Sequence, residues 1–217
     1  MPQALITWGG WAGHEPEKVA NLFAGWLREA GVDVTLTDTL ACFDDPAALA
    51  AVDLIVPVWT MSEIAKEQAL NVAAAVAAGT GLAGCHGGMC DSFRANVDWQ
   101  FLTGAQWVAH PGNDGVEYRV RVTSDHETVA GLPDFDVTSE QYYLHVDPAV
   151  KVHAVCDFPV VDGPHAVNGP VAMPVVFTKG WGQGRVYYNA LGHQANVIDH
   201  GVPEQMLRRG MAWAMRR

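Results

Sequence analysis

Apolar positions in the first part of the chain follow two alternating periods. Hydrophobic residues recur every three or four positions over 19–30, which is typical of an amphipathic helix. Asp45-Pro46 opens a short helix, and Ser62 is an N-cap candidate for a third helix that runs to about Ala78. The apolar runs that predict buried strands are 4–8, 32–36, 53–59 and 82–85. Strands separated by helices predict a doubly wound, mostly parallel α/β sheet flanked by helices.

The second half of the chain is richer in strand patterns. A glycine-rich turn at 180–184 separates the last two strand patterns and predicts a hairpin. A terminal amphipathic helix covers 203–216. No linker, repeat or low-complexity segment interrupts the chain, so we expect one domain over 1–217. The runs that predict these further strands are 116–122, 150–157, 174–179 and 185–191.

Histidines collect just beyond the predicted strand ends. In a parallel α/β sheet, the ligand crevice lies at the carboxyl ends of the strands. His14 comes shortly after the first strand, Trp59 ends the third, and His86 follows the fourth. His193 follows the last strand of the hairpin. We therefore expect these side chains to share one crevice.

Residues 84–88, Gly-Cys-His-Gly-Gly, resemble the strand-turn-helix elbow that carries the nucleophile of many hydrolases. Small residues are needed there because the turn is tight and its central residue is strained. The central residue here is His86, whereas Cys85 lies one place earlier and is expected to point away from the crevice. The elbow therefore favours acid–base or metal chemistry over an acyl-enzyme. The alternative is a tight turn without a chemical role.

Composition and charge narrow the classes of function. Of the 217 residues, 49% are hydrophobic, which excludes a disordered chain, and the net charge of −11 disfavours nucleic acid as a partner. The longest apolar stretch, 69–82, is shorter than the roughly 20 residues of a membrane-spanning helix. The amino terminus has no basic signal region. The four cysteines form no paired framework, so we expect a reduced, cytoplasmic protein without membrane contact.

Four segments together resemble the trehalose-utilisation family of ThuA-like proteins. In the family's order they are 84–94, 106–112, 139–148 and 182–193. The resemblance covers essentially the whole chain and implies a fold like that of class I glutamine amidotransferases, which is flavodoxin-like. It also implies a role in bacterial disaccharide catabolism, with trehalose, a related glycoside or its 3-keto derivative as the substrate. The family's polar motif positions fall on His14, His86, His110, Glu140, Tyr142 and His193.

One motif position departs from the family pattern. Many relatives have Asp-Glu-x-Tyr where this chain has Ser139-Glu140-Gln141-Tyr142. The chain therefore lacks one carboxylate, which puts in doubt any role assigned to it. Glu140 is the carboxylate that remains.

The implied substrate suggests the chemistry. A 3-keto group makes the proton at C2 of the sugar acidic, so a base, an acid and an oxyanion stabiliser suffice for β-elimination or isomerisation. We expect Glu140 or His86 to act as the base and His193 as the proton donor, with His14 as a further catalytic candidate. His14, His86 and His193, together with Glu140, also suit a divalent metal, zinc or manganese. No H-x-x-x-H or H-x-x-E spacing supports a metal, so both interpretations stay open.

Aromatic and polar residues near the same motifs are candidates for substrate contact. Tryptophan stacks on sugar rings, and Trp11, Trp59 and Trp107 lie near predicted strand ends or loops. Asp91 and Arg94 follow the elbow, where they suit either sugar hydroxyls or a local ion pair. The remaining predicted contacts are His110, Tyr142 and His145, the last in a loop-like, tyrosine-rich stretch.

Rival interpretations need different residues. A dinucleotide site would need G-x-G-x-x-G after the first strand, where this chain has Gly-Gly-Trp-Ala-Gly, so no nucleotide cofactor is expected. An amidotransferase-type hydrolase would need Cys85 or Cys90 as its nucleophile. A non-catalytic carbohydrate-binding or regulatory protein on the same fold is the main alternative to an enzyme. The expected partner is a small sugar, and a homo-oligomer stays open.

Overall fold

Eleven strands form two sheets in the computed structural model, which describes residues 1–217. They are β1 (Gln3–Gly10), β2 (Asp33–Thr37), β3 (Leu54–Thr60), β4 (Gly81–Cys85), β5 (Ala105–Ala109), β6 (Val116–Val122), β7 (Phe135–Ser139), β8 (Tyr143–Val146), β9 (Lys151–Phe158), β10 (Val171–Trp181) and β11 (Gly184–Asn189). Nine strands make the central sheet, in the order β2-β1-β3-β4-β11-β10-β9-β6-β7. The other two, β5 and β8, pair antiparallel in a small separate sheet.

Six α-helices complete an α/β fold. They are α1 (Pro16–Glu29), α2 (Pro46–Ala51), α3 (Lys66–Ala77), α4 (Gly87–Cys90), α5 (Val97–Thr103) and α6 (Gly201–Ala214). Pro16 stands in the first turn of α1, where a missing N–H removes no helical hydrogen bond. Helix α1 packs on β1 and β2, and α6 packs on β4 and β11. None of the helices combines the length and apolar content needed to span a membrane.

The central sheet has a parallel and an antiparallel part. Strands β2, β1, β3, β4 and β11 run parallel, in that order. From β11 onward each strand is antiparallel to its neighbour, through β10, β9 and β6 to β7. These four reversals return β7 to the direction of β11. The carboxyl end of β7 therefore lies at the same edge of the sheet as the carboxyl ends of the parallel strands.

The fold class expected from the hydrophobic pattern is confirmed. Every predicted strand is present, with ends shifted by a few residues, and the second half is rich in strands. The hairpin of β10 and β11 turns at Gly182, whose φ of 58° lies in the left-handed region that favours glycine. Close packing against the sheet also needs a glycine in α6, because a Cβ on Gly210 would lie 2.1 Å from Cε1 of the buried Tyr187.

The differences from the predicted elements concern short or polar segments. Helix α3 begins at Lys66 rather than at Ser62, and its start is closed by Gln68, whose Oε1 accepts the Ala65 N–H at 3.1 Å. The pattern missed α5, β5, β7 and β8, which are too short to show a clear period. The stretch around His145, predicted as a loop, forms strand β8 because it pairs with β5.

Candidate active site

Four titratable side chains meet at the carboxyl edge of the central sheet. His14 follows β1 and His86 follows β4. Glu140 follows β7 and His193 follows β11. One nitrogen or carboxylate oxygen from each residue lies within 4.8 Å of the corresponding atoms of the other three, and all four residues are buried. We call this set the His/Glu quartet.

Glu140 is the residue that the imidazoles of the quartet surround. Its Oε2 is 3.2 Å from Nε2 of His86 and 4.0 Å from Nε2 of His14. Its Oε1 is 3.4 Å from Nδ1 of His193. His110, outside the quartet, brings its Nε2 to 3.7 Å from the same Oε1. One carboxylate therefore faces four imidazole rings.

The second nitrogen of each quartet imidazole faces an oxygen outside the quartet. His14 Nδ1 lies 2.9 Å from Thr60 Oγ1, and His86 Nδ1 lies 3.0 Å from the Tyr142 hydroxyl. His193 Nε2 lies 3.9 Å from a carboxylate oxygen of Asp114. The partners of His14 and His86 are at hydrogen-bond distance, and such partners orient an imidazole and select which nitrogen stays free for a ligand. The nitrogens left facing Glu140 are Nε2 of His14, Nε2 of His86 and Nδ1 of His193.

The elbow at residues 84–88 sets the position of His86. Its φ of 49° and ψ of −141° are rarely adopted by a residue with a side chain. The His86 N–H donates to Asn189 O at 2.7 Å, and the Tyr188 hydroxyl donates to His86 O at 3.2 Å, so β11 holds the elbow on both sides. Gly87 leaves room for the His14 ring, because a Cβ at position 87 would lie 2.7 Å from Cε1 of His14.

Burial and mutual contact set the charge states of the quartet. Burial lowers the pKa of His14 to about 3 and that of His86 to about 4, so both rings are neutral at neutral pH. Burial alone would raise the pKa of Glu140, but contact with His193 and His86 outweighs it and keeps that pKa below its usual range. Contact with Glu140 raises the pKa of His193 more than burial lowers it. The quartet therefore combines a stable carboxylate with two neutral imidazoles.

Three atoms of the quartet are buried without a hydrogen-bond partner. They are Nε2 of His86, Oε2 of Glu140 and Nδ1 of His193. Leaving a buried polar atom unpaired costs on the order of 1–3 kcal/mol, so a cluster of them facing one point indicates a ligand. Neutral imidazoles and a carboxylate are ligands that zinc and related divalent ions prefer. The donor set of the quartet thus fits a divalent cation.

Three members of the quartet, His14, Glu140 and His193, line a cavity of about 290 Å³, and His86 lies behind them. Trp11, 45% exposed, stands at its mouth with its ring edge-on to His14 at 4.7 Å between centroids. His110 and Tyr142 line another part, with their rings nearly parallel at 6.0 Å. Asp91, Arg94 and Asp114 add charged groups to the lining. The cavity therefore offers an aromatic rim and hydrogen-bonding groups beside the quartet, as small-molecule sites do.

An ion pair and a tryptophan form one wall of this cavity. Asp91 accepts two hydrogen bonds from Arg94, at 2.5 Å to Nε and 2.9 Å to Nη2. The Arg94 guanidinium lies over the Trp107 ring, 4.4 Å from its centroid. Burial raises the pKa of Asp91, although the contact with Arg94 opposes this. The predicted ion pair is thus present, and it also faces the cavity, so the two roles considered for Asp91 and Arg94 are compatible.

Nearly the whole chain matches a known protein family. The model of the ThuA family, described as trehalose utilisation, matches residues 3–214. The chain belongs to the ThuA family. This membership points to a role in carbohydrate metabolism. No curated protein matches the chain.

Solved structures of similar fold include two ThuA-like proteins. The one from Bacteroides uniformis ATCC 8492 is 17% identical with a TM-score of 0.75, over 98% of this chain and 91% of that chain. The one from Parabacteroides merdae ATCC 43184 is 19% identical with a TM-score of 0.71, over 99% and 90%. A protein from Salmonella typhimurium LT2 described as cytoplasmic is 13% identical with a TM-score of 0.66, over the full length of both chains. At these identities the likeness shows the fold alone.

Three predicted substrate contacts do not line the cavity beside the quartet. The Trp59 ring packs against Gly9, where a Cβ would lie 2.7 Å from it, and it does not line the cavity. His145 is exposed on β8, opposite Gln106, and borders a different hollow. Trp107 supports the cavity wall through Arg94 rather than lining it. Strand-end position predicted Trp59 and a loop-like, tyrosine-rich stretch predicted His145, but neither shows which way a side chain points.

Several residues at the site were not predicted. Thr60 and Asp114 face the outer nitrogens of His14 and His193, while Met61 and Asn113 line the cavity. Thr60 had a visible signal, because it ends a strand whose preceding residue was already a candidate. The others lie in loops whose sequences carry no chemical pattern.

The cysteines next to the elbow are enclosed in the core. Cys85 and Cys90 are both buried, and burial raises the pKa of Cys85 to about 12. Burial also raises the pKa of Cys90. A thiol nucleophile reacts as the thiolate, which these surroundings disfavour.

Proposed function

We propose that this ThuA protein is an enzyme of disaccharide catabolism that acts on a trehalose-type glycoside or its 3-keto derivative at the His/Glu quartet. The observation that carries the proposal is the convergence of four buried titratable groups at the base of a 290 Å³ cavity. Titratable groups with strongly shifted pKa values in a cleft are typical of catalytic sites. A site that only binds sugar needs amides and hydroxyls more than it needs such a cluster.

The charge states support acid–base chemistry on a 3-keto sugar. The C2 proton goes to a base, Glu140 or the neutral ring of His86, and the electron pair left on C2 forms the enediolate with the ketone. Contact with Glu140 raises the pKa of His193, so His193 suits the donor that returns a proton to the departing glycosidic oxygen or to the ring carbon. The outcome is β-elimination of the glycoside or isomerisation of the ketone.

The same residues would hold a divalent ion, and we extend the proposal to zinc or manganese. The ligands from this chain would be His14, His86 and His193 with Glu140, each through the atom that faces the centre of the quartet. When bound, such an ion polarises a carbonyl oxygen and stabilises the charge of an enediolate. Thr60 and Tyr142 would orient two of the imidazoles through their outer nitrogens.

The cavity lining supports a neutral sugar ring as the substrate. The rigid Asp91–Arg94 pair offers an acceptor and spare N–H donors to ring hydroxyls. Trp11 at the mouth provides a face for the second ring of a disaccharide, and His110 lies beside the first. The acidic balance of the chain favours a neutral substrate over a phosphorylated one. The unpaired cysteines and the cytoplasmic Salmonella relative support a location in the cytoplasm.

The decisive experiment is a product assay with 3-keto trehalose, read by mass spectrometry with and without a chelator. Wild-type protein should convert the substrate, and His86→Ala should lower turnover by roughly 10²–10⁴-fold because an acid–base group is lost. The control His200→Ala removes an exposed imidazole that does not line the cavity and should retain wild-type turnover. Circular dichroism should show both variants folded.

Two results would contradict the proposal. Full activity of folded His86→Ala would show that the quartet does not take part in the reaction. Calorimetric binding of trehalose or its 3-keto form by wild-type protein, with no product formed, would instead identify a carbohydrate-binding protein. The metal part of the proposal fails if turnover survives complete chelation and if protein purified without a metal-affinity column contains no ion. That result would support acid–base chemistry without a metal.

A further inference from the structure

Strained backbone in this chain is confined to the surroundings of the quartet. The four non-glycine residues with positive φ are Glu15, Met61, His86 and Asn113, with φ between 47° and 57°. His86 belongs to the quartet, and Met61 and Asn113 line its cavity. Such conformations cost on the order of 1–3 kcal/mol each and persist where the surrounding structure requires them, commonly at functional sites. Glu15 is neither a member of the quartet nor part of the cavity lining, so its strain needs another explanation.

Glu15 connects the two segments that carry His14 and His193. It adopts the left-handed conformation, φ 47° and ψ 47°, directly after His14 and immediately before α1. In this conformation its side-chain Oε2 accepts the backbone N–H of Ala195 at 3.1 Å. Ala195 lies two residues beyond His193, in the loop that carries this histidine. One carboxylate thus bridges two loops that are 180 residues apart in the chain.

We propose that Glu15 is a positioning residue of the His/Glu quartet, which fixes the loop of His193 against the loop of His14. The two imidazoles lie with ring centroids 5.1 Å apart and planes at 83°, an arrangement with no hydrogen bond between them. Neither local chain segment sets this spacing, because β1 and β11 are separated by β3 and β4 in the sheet. The inference rests on the proposed function, since exact spacing matters when the quartet holds a cation or moves a proton.

The contact that matters is the hydrogen bond to Ala195 rather than the charge of Glu15. The charge is paired with Lys18, whose Nζ is 3.2 Å from both carboxylate oxygens. That pair is solvent-exposed, with 62% of the Lys18 side chain accessible, and exposed pairs contribute little. A glutamine at position 15 keeps an oxygen acceptor for the Ala195 N–H, whereas an alanine does not. Lys18 offers a matched control, because it touches Glu15 without touching the loop of His193.

The test compares Glu15→Ala, Glu15→Gln and Lys18→Met in two measurements. Amide hydrogen exchange at Ala195, recorded on metal-free protein, should be at least about tenfold faster in Glu15→Ala and close to wild type in the other two. Zinc affinity, measured by competition with a chromophoric chelator, should fall about 10–100-fold in Glu15→Ala only, which is the range for partners that orient metal ligands. Recovery in Glu15→Gln distinguishes positioning from loss of charge.

The outcomes separate this inference from the proposed function. Unchanged exchange at Ala195 in Glu15→Ala would overturn the bridge between the loops. Faster exchange with unchanged zinc affinity would overturn the positioning role. If wild-type protein binds no zinc, the metal part of the proposed function fails, and the second measurement becomes turnover of 3-keto trehalose. Glu15→Ala should then lower kcat about tenfold with KM unchanged, and an unchanged kcat would overturn the inference.

Discussion

The parallel and antiparallel parts of the central sheet contribute to the site in different ways. The parallel part supplies three imidazoles, His14, His86 and His193, each just beyond a strand end. Parallel strands all finish at one edge, so the side chains that follow them are brought to the same edge. The antiparallel part supplies the carboxylate, Glu140, from the far edge strand β7. Because the number of antiparallel pairings between β11 and β7 is even, the carboxyl end of β7 lies at the same end of the sheet as the carboxyl ends of the parallel strands.

The antiparallel part needs long-range contacts to deliver its residue. Strand β7 contacts the short 3₁₀ turns Asn113–Gly115 and Ala195–Val197, so the far edge of the sheet comes back to the site. The Tyr118 hydroxyl donates to Glu140 O at 3.0 Å. Gln141 donates to Asp157 O at 2.8 Å and accepts the Val160 N–H at 3.1 Å. The imidazoles follow strand ends directly and gain long-range support from Glu15 and β11, whereas the carboxylate is held by several side chains distant in sequence.

The largest effect is expected from crowding the local turn in the parallel part. In Gly87→Ala the new Cβ would lie 2.7 Å from Cε1 of His14 and 2.8 Å from Cγ2 of Thr60. The His14 ring must move, and a displacement near 1 Å lowers turnover on the order of 10²-fold. Assays of product formation and zinc affinity would measure it.

Gly25→Ala is the matched control for this substitution. Gly25 lies within α1 and no atom stands within 4 Å of its added Cβ, so alanine there should stabilise the helix slightly and leave turnover unchanged. Wild-type turnover in folded Gly87→Ala would show that the quartet does not depend on the approach of His14 to the elbow.

A smaller effect is expected from removing an anchor of the antiparallel part. Gln141→Met leaves Asp157 O and Val160 N without their side-chain partner, at a cost of about 1–3 kcal/mol in the free energy of unfolding. Because Glu140 is the adjacent residue, turnover should fall on the order of tenfold. Urea unfolding and the product assay measure the two effects.

The control for this variant is Gln183→Met in the exposed hairpin turn, which should match wild type in both measurements. If Gln141→Met loses stability but keeps full turnover, the carboxylate is held by β7 alone, and the contrast between local and long-range positioning fails.

The third effect is on stability rather than on turnover and concerns a buried histidine within the antiparallel part. His153 on β9 bonds to Thr178 on β10 at 2.8 Å and to Ser124 at 2.9 Å, and burial lowers its pKa from 6.5 to about 4. The unfolded chain therefore binds more protons between these values, so this contribution to stability is complete above pH 6.5 and is lost as the pH falls towards 4. Its size should be about 1–3 kcal/mol.

Urea unfolding of wild type and His153→Gln at several pH values isolates the contribution of His153 to stability. His14 and His86, whose pKa values are also lowered by burial, remain in both proteins, so the difference between them reports His153. The wild type should lose more stability than the variant on acidification. An identical pH dependence would show that β9 and β10 hold together without the neutral imidazole.

Hydrophobic pattern and local spacing were sufficient for the α/β fold and for the strand-end placement of three histidines. Strand ends and a tight Gly-x-x-Gly-Gly turn are short-range features, so His14, His86 and His193 carried their own signal. Glu140 did not, because β7 is a five-residue strand of mixed burial, and it was found only through resemblance to relatives. Trp59 and His145, predicted from their positions in the chain, do not line the cavity, because position alone does not set the direction of a side chain.

The sequence by itself therefore determined the longer helices and strands and where the three imidazoles follow them. The tertiary structure alone decided that a carboxylate from the opposite edge of the sheet stands between those imidazoles, that Thr60, Tyr142 and Asp114 face their outer nitrogens, and that Glu15 bridges two loops. The physical reason is the distance along the chain over which each interaction acts. Periodicity and turn chemistry act over a few residues, whereas the direction of β7 and the contacts of Glu15 depend on the pairing of segments far apart in the chain.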